Sequence, residues 1–113
     1  MTEQELTELD AAVARAMGLE PHVFHNHCTV KGQGTFRDDY KPTRDPRLQV
    51  DLILKYSLSI SPSPYGNCVY VITPAPDSVR YLESYADHDN DREQALGVAI
   101  CRAVIAADPE GET

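Results

Sequence analysis

One amphipathic stretch near the end of the chain most constrains how this sequence can fold. From Arg92 to Ala107 the apolar residues recur at the spacing of a single helix face. Asn90 is predicted to cap this helix, Glu93 to complete a capping box, and Asp108-Pro109 to end it. Five residues of the stretch are alanine, so we expect the helix to lie close against a flat partner, which a β-sheet provides.

Two further helices are predicted. The first begins at Thr2, with Glu5 in the capping-box position, and ends at Gly18. The second begins at Asp45-Pro46, where aspartate is a good N-cap and proline suits the first helical position. Residues 48–56 also alternate as a strand would, but the start signal favours a helix over this segment.

The remaining patterned segments predict strands. Val23 to Val30 is predicted to be one strand with His25 and His27 on the same face, followed by a turn at residues 32–34. Three later strands, at residues 57–61, 68–72 and 79–85, are separated by proline-rich loops and predict an antiparallel meander. Residues 1–113 are therefore expected to form one α+β domain, an antiparallel β-meander sheet packed between α-helices in an α/β/α sandwich.

The overall charge excludes some partners. Eighteen acids against ten bases give a net charge of −8, which argues against binding a nucleic-acid backbone or an anionic membrane surface. No apolar run reaches the length of a membrane span. The three cysteines are odd in number, lack CxxC spacing and lie in apolar runs, so we expect reduced core residues of an intracellular protein.

Positive charge is concentrated in residues 31–47. This segment holds five bases and three acids, a balance of +2, which leaves five bases and fifteen acids, or −10, for the rest of the chain. A helix N-terminus attracts anions, so the side chains around the predicted start at Pro46 form a candidate site for a phosphate or carboxylate. The candidate ligand-binding residues are Arg37, Tyr40, Thr43, Arg44 and Arg47. The alternative is a solvated loop whose arginines offset nearby aspartates.

Other constellations lack the spacing that their chemistry needs. His22, His25, His27 and Cys28 resemble zinc ligands, but no second ligand pair stands at zinc-finger spacing. Residues 87–91 resemble the start of a calcium loop, but its later glycine and glutamate are missing. Cys28 or Cys101 paired with a histidine has no accompanying catalytic motif. We therefore expect no catalytic residues, no bound metal and no cofactor.

Three segments together resemble a known family. They are residues 9–18, Tyr40 to Asp45, and the Gln94-Ala95-Leu96-Gly97-Val98-Ala99-Ile100-Cys101-Arg102-Ala103-Val104 segment of the last helix. This order is similar to the phage ABA sandwich domain, a family of small bacteriophage and prophage proteins. The resemblance implies a sheet with helices on both faces and a phage origin, and it implies no catalytic activity.

Together these features predict a non-catalytic phage accessory protein, which we expect to be a homo-oligomer in the host cytoplasm. In one version it acts in counter-defence by binding and sequestering an anionic, nucleotide-derived signal. The alternative is an inhibitor that binds a host defence protein through acidic surfaces. Those acids are Glu3, Glu5, Glu8 and Asp10 at one end and Glu83, Asp87, Asp89, Asp91 and Glu93 near the other. A structural or housekeeping role in the phage is a third possibility.

Overall fold

The computed structural model describes residues 2–31 and 37–107, with the backbone alone at residues 31 and 37–39. The elements are α1 (Glu3–Ala16), β1 (Pro21–Phe24), β2 (His27–Lys31), β3 (Arg37–Asp39), α2 (Pro46–Tyr56), β4 (Ser59–Pro62), β5 (Cys68–Ile72), β6 (Arg80–Ser84) and α3 (Arg92–Ala107). A short 3₁₀ helix, Tyr85–His88, joins β6 to the turn before α3. The predicted α+β class is confirmed.

The strands form two antiparallel sheets of three strands each, in the orders β1-β2-β3 and β4-β5-β6. The second sheet is the predicted meander, since Tyr70 at the centre of β5 pairs with Ser61 on one side and Leu82 on the other. β5 matches its predicted range, and β4 and β6 differ from theirs by one or two residues at each end. Alternation therefore located this sheet correctly.

Helix α3 lies at the centre of the molecule. It packs against β5 and β6 and also contacts α1 and α2, while α1 in turn contacts β1 and β2. Arg102 reaches Glu83 on β6, whereas Gly97 faces Thr43, just before α2, and Gln49 on α2. Eight of its sixteen residues are buried, so the small side chains of α3 let the second sheet and the other helices approach it closely.

The cap of α3 differs from the prediction by one residue. Asn90 has a left-handed backbone with φ 63°, whereas an N-cap residue is normally extended. Instead, the Oδ1 atom of Asp91 accepts a hydrogen bond of 3.1 Å from the backbone N–H of Gln94. The prediction of Asn90 was therefore wrong, because both residue types suit a cap and only the backbone angle distinguishes them. The predicted end at residues 108–109 lies outside the described residues.

The predicted single strand from Val23 to Val30 is a hairpin, so that prediction was wrong. His25 and Asn26 both have positive φ angles, 47° and 60°, as a two-residue type I′ turn requires. Phe24 then pairs with His27 across the hairpin. His25 lies in the turn and His27 in β2, so they do not share a strand face. The predicted turn at residues 32–34 lies outside the described residues.

Candidate functional site

The predicted start of α2 is correct. Pro46 is its first residue, and the Asp45 side chain accepts a hydrogen bond of 3.0 Å from the backbone N–H of Arg47. The loop before it, residues 40–45, carries three of the five predicted ligand-binding residues. This loop is short and polar, so its hydrogen bonds to neighbouring elements set its position.

A buried carboxylate holds the loop against α1. Asp10 is fully buried on α1, and its Oδ1 atom accepts a hydrogen bond of 2.9 Å from the backbone N–H of Thr43. On the other side, the Gln49 side chain donates to the Pro42 carbonyl oxygen at 2.8 Å. Asp10 was predicted to be a surface acid. Its place among Leu6 and Val13 on the apolar face of α1 was the signal for burial.

Arg44 is held by two carboxylates from α1. Its Nη1 donates to Glu3 Oε2 at 3.0 Å, and its Nη2 lies 3.7 Å from Asp10 Oδ2. Within residues 2–31 and 37–107, four buried polar atoms here have no hydrogen-bond partner, namely Asp10 Oδ2, Thr43 Oγ1, Arg44 Nε and Arg44 Nη2. Most buried polar groups in proteins have partners, so this cluster has unused hydrogen-bonding capacity.

Burial raises the pKa of Asp10. The hydrogen bond from Thr43 and the positive charge of Arg44 oppose this effect. The Thr43 hydroxyl and the Arg44 guanidinium also favour the charged carboxylate, although neither meets hydrogen-bond geometry with Oδ2. The Asp10 carboxylate therefore interacts electrostatically with the Thr43 and Arg44 side chains, although the geometry of hydrogen bonds between these side chains is poor.

A cavity of about 350 Å³ lies beside this cluster. Its walls come from Thr43 and Arg44, from the first turn of α2 and from the first turn of α3. The wall residues from these two helix starts are Pro46 and Gln49 of α2, Asp91 just before α3, and Glu93, Gln94 and Leu96 of α3. Two helix N-termini therefore converge on one cavity, which contains one guanidinium and two carboxylates.

Of the remaining predicted ligand-binding residues, Tyr40 and Arg47 lie outside the wall of this cavity. Tyr40 is buried in the core, where burial raises the pKa of its hydroxyl well above its usual range. The Arg47 side chain is 93% exposed, with its Nε 3.9 Å from Asp45, and borders a separate open groove with Val50 and Asp51. The side chain of Arg37 lies outside the described part. Of the five residues, the structure thus brings Thr43 and Arg44 together at the cavity.

The residues of the alternative predictions are also located. The acidic-surface hypothesis loses Asp10 and Glu83, because both side chains are buried. Cys28, Cys68 and Cys101 are free and buried, and burial raises the pKa of the Cys28 and Cys101 thiols, which disfavours the nucleophilic thiolate. Across residues 2–31 and 37–107, no group of three histidine, cysteine or acidic side chains is placed to hold a metal ion.

Sequence reasoning missed a second buried network next to the cavity. His88 is 2% exposed; its Nε2 lies 2.8 Å from Glu83 Oε1, and its Nδ1 lies 2.8 Å from Gln94 Oε1. Arg102 donates to the other oxygen of Glu83. Residues 87–91 are all polar, so no local pattern indicated that His88 is buried.

Comparisons with protein-family models, with curated proteins and with solved structures found no match for this chain. The resemblance to the phage ABA sandwich family therefore stays a prediction. Among the described helices, none has the length and apolar character needed to cross a membrane.

Proposed function

We propose that this chain is a non-catalytic binding protein that holds a small anionic molecule in the cavity between α2 and α3. The observation that supports this most is the set of unpartnered polar atoms beside the cavity, on Thr43 and Arg44. A phosphate or carboxylate oxygen accepts hydrogen bonds from a hydroxyl and from guanidinium nitrogens. An anion at this end of the cavity would therefore supply the partners that these groups lack.

The charge of the cavity wall narrows the ligand class. Asp91 and Glu93 lie in the same wall as Arg44, so a polyanion would be repelled there. A suitable ligand has one negative group, which Arg44 would bind, and a second part rich in N–H donors. The carboxylates of Asp91 and Glu93 would accept hydrogen bonds from those donors. A nucleotide with one phosphate and an amino-bearing base has this pattern. The volume is at the small end of the roughly 300–1,000 Å³ range of ligand pockets.

The cellular role proposed here is sequestration. A binding protein without turnover lowers the free concentration of its ligand in proportion to its own amount. With the phage resemblance, this supports a counter-defence protein that removes a nucleotide-derived immune signal in the host cytoplasm, acting as a homo-oligomer. Both the role and the oligomeric state rest on the sequence and are open to test.

The first prediction concerns the Thr43 hydroxyl. We expect Thr43→Val to abolish ligand binding and to leave the protein as stable as the wild type or more stable, because it removes a buried hydroxyl that has no partner. Isothermal titration with nucleoside monophosphates, cyclic nucleotides and ADP-ribose derivatives measures binding, and urea unfolding measures stability.

Thr29→Val is the matched control, because this threonine lies on β2 and valine suits a strand. It should leave binding unchanged. The proposal is wrong if none of these molecules binds the wild type, or if Thr43→Val binds as well as Thr29→Val does. Unaltered binding in both variants would place the ligand outside the cavity.

A further inference from the structure

The buried Glu83 and His88 side chains and the half-buried Gln94 side chain connect β6, the 3₁₀ helix and α3 in one chain of hydrogen bonds. Both ring nitrogens of His88 are engaged, each at 2.8 Å. Glu83 is 6% exposed and is also paired with Arg102. An ionised carboxylate only accepts hydrogen bonds, so Nε2 of His88 carries the proton that faces Glu83.

The proton on the other nitrogen of His88 then decides how the Gln94 amide is oriented. In imidazolium, Nδ1 is a donor and faces Gln94 Oε1, which turns the amide NH₂ group away from the histidine. In neutral imidazole, Nδ1 is an acceptor and needs the NH₂ group of Gln94, which turns the amide oxygen away instead. The two charge states of His88 therefore require opposite amide orientations.

Gln94 also lines the cavity between α2 and α3. A ligand that contacts the Gln94 amide there would meet the end that is not bonded to His88. We propose that protonation of His88 turns the Gln94 amide, so that the cavity presents a donor when His88 is charged and an acceptor when it is neutral. The ligand part of this inference rests on the proposed function, whereas the amide rotation does not.

Several charged groups surround His88. Glu83 faces it from β6, and Arg102 on α3 acts on it through Glu83. Asp91 precedes α3, and its N–H donates to the His88 carbonyl oxygen at 2.8 Å. Asp87 and Asp89 flank His88 in the chain, and Arg92 lies over the Tyr85 ring of the same 3₁₀ helix.

The second prediction is a change in affinity with pH. A phosphodiester accepts hydrogen bonds and keeps one negative charge over the range in question. We expect 3′,5′-cyclic AMP to bind about tenfold more tightly at about pH 5 than at about pH 8, because His88 then turns the amide NH₂ group toward the ligand. Gln94→Met removes the amide and should abolish this dependence, whereas His27→Gln, which removes an exposed histidine, should retain it.

Nuclear magnetic resonance tests the rotation without a ligand. Histidine ¹⁵N shifts report the protonation of His88, and the side-chain ¹⁵N–¹H signals of Gln94 should shift in the same titration. A Gln94 amide that does not respond as His88 titrates, or a His88 that keeps one protonation state from about pH 8 to about pH 5, would overturn the inference.

The two proposals fail in different ways. Rotation of the amide without binding of any nucleotide would support the inference and contradict the proposed function. Binding of cyclic AMP with an affinity independent of pH would support the proposed function and contradict the inference.

Discussion

Gly97 shows how one missing side chain positions the cavity wall. A methyl group there would overlap the Thr43 carbonyl oxygen and lie 2.8 Å from Gln49 Nε2. Glycine inside a helix is normally less stable than alanine by about 1 kcal/mol. The close approach of α3 to the loop before α2 outweighs that preference, because a carbonyl oxygen of the backbone cannot move aside as a flexible side chain can.

The third prediction reverses the usual helix preference. We expect Gly97→Ala to lower the free energy of unfolding by about 1–3 kcal/mol, because the added methyl group overpacks the contact with Thr43. Urea unfolding measures this loss. Gly18→Ala is a useful comparison, since no atom of the described residues lies within 4 Å of its methyl position and its left-handed backbone opposes the change, at about 1–2 kcal/mol. A Gly97→Ala protein more stable than the wild type would contradict the packing described here.

The fourth prediction concerns the buried carboxyl of Asp10, whose pKa is raised in the folded state by burial. A carboxyl with a raised pKa stabilises the fold most below its unfolded pKa, and that contribution is lost as the pH rises through its folded pKa. Asp10→Asn removes this loss and keeps an oxygen for the Thr43 N–H. We therefore expect the stability of the variant, relative to the wild type, to increase as the pH rises from about 4 toward neutral. Urea unfolding at a series of pH values would contradict this if the relative stability decreased.

These residues also show the limit of sequence reasoning at this scale. Thr43 and Arg44 were predicted as ligand residues from local charge and the helix start at Pro46, and both line the cavity. The burial of Asp10 was missed although it lies on the apolar face of α1, and the burial of His88 was missed because its partners lie in other elements. Thr43 is 33 residues from Asp10, and no local pattern encodes such a pairing.

At the scale of elements, the helix starts of α1 and α2, which local sequence specifies, were predicted correctly, whereas the turn between β1 and β2 was not. α1 has the predicted capping box between Thr2 and Glu5, and α2 begins at the predicted proline. The hairpin of β1 and β2 was missed because its turn is His25-Asn26, whereas the usual type I′ sequences contain Asn-Gly or Asp-Gly. Because the prediction relied on periodicity alone, it merged β1 and β2 into one strand.

The fifth prediction tests the cap of α3. We expect Asp91→Ala to lower the free energy of unfolding by about 1 kcal/mol, because it removes the acceptor of the Gln94 N–H. Asn90→Gly should leave stability unchanged or raise it, since glycine adopts the left-handed conformation without strain. Thermal unfolding of both variants without ligand compares them. The opposite order, with Asn90→Gly the more damaging change, would mean that Asn90 caps the helix.

At the scale of the whole molecule, the α+β class and the meander followed from the sequence, while the position of the cavity did not. The cavity exists because the first turns of α2 and α3, more than forty residues apart, come together beside the buried Asp10. The predicted basic segment, residues 31–47, contributes Arg44 to the charged side chains of the cavity wall. The carboxylates of Asp91, just before α3, and of Glu93 on α3 complete the wall. They narrow the proposed ligand to a molecule with one negative group.

The most direct test of the central claim is the native mass of the protein purified from phage-infected cells that carry a defence system. We predict an excess mass of one nucleotide-sized molecule for each occupied cavity, which is lost on denaturation and is absent from Thr43→Val. The same spectrum reports the number of subunits. A wild-type mass equal to that of the polypeptide alone, with no excess in any oligomer, would contradict the account of this cavity as a ligand site.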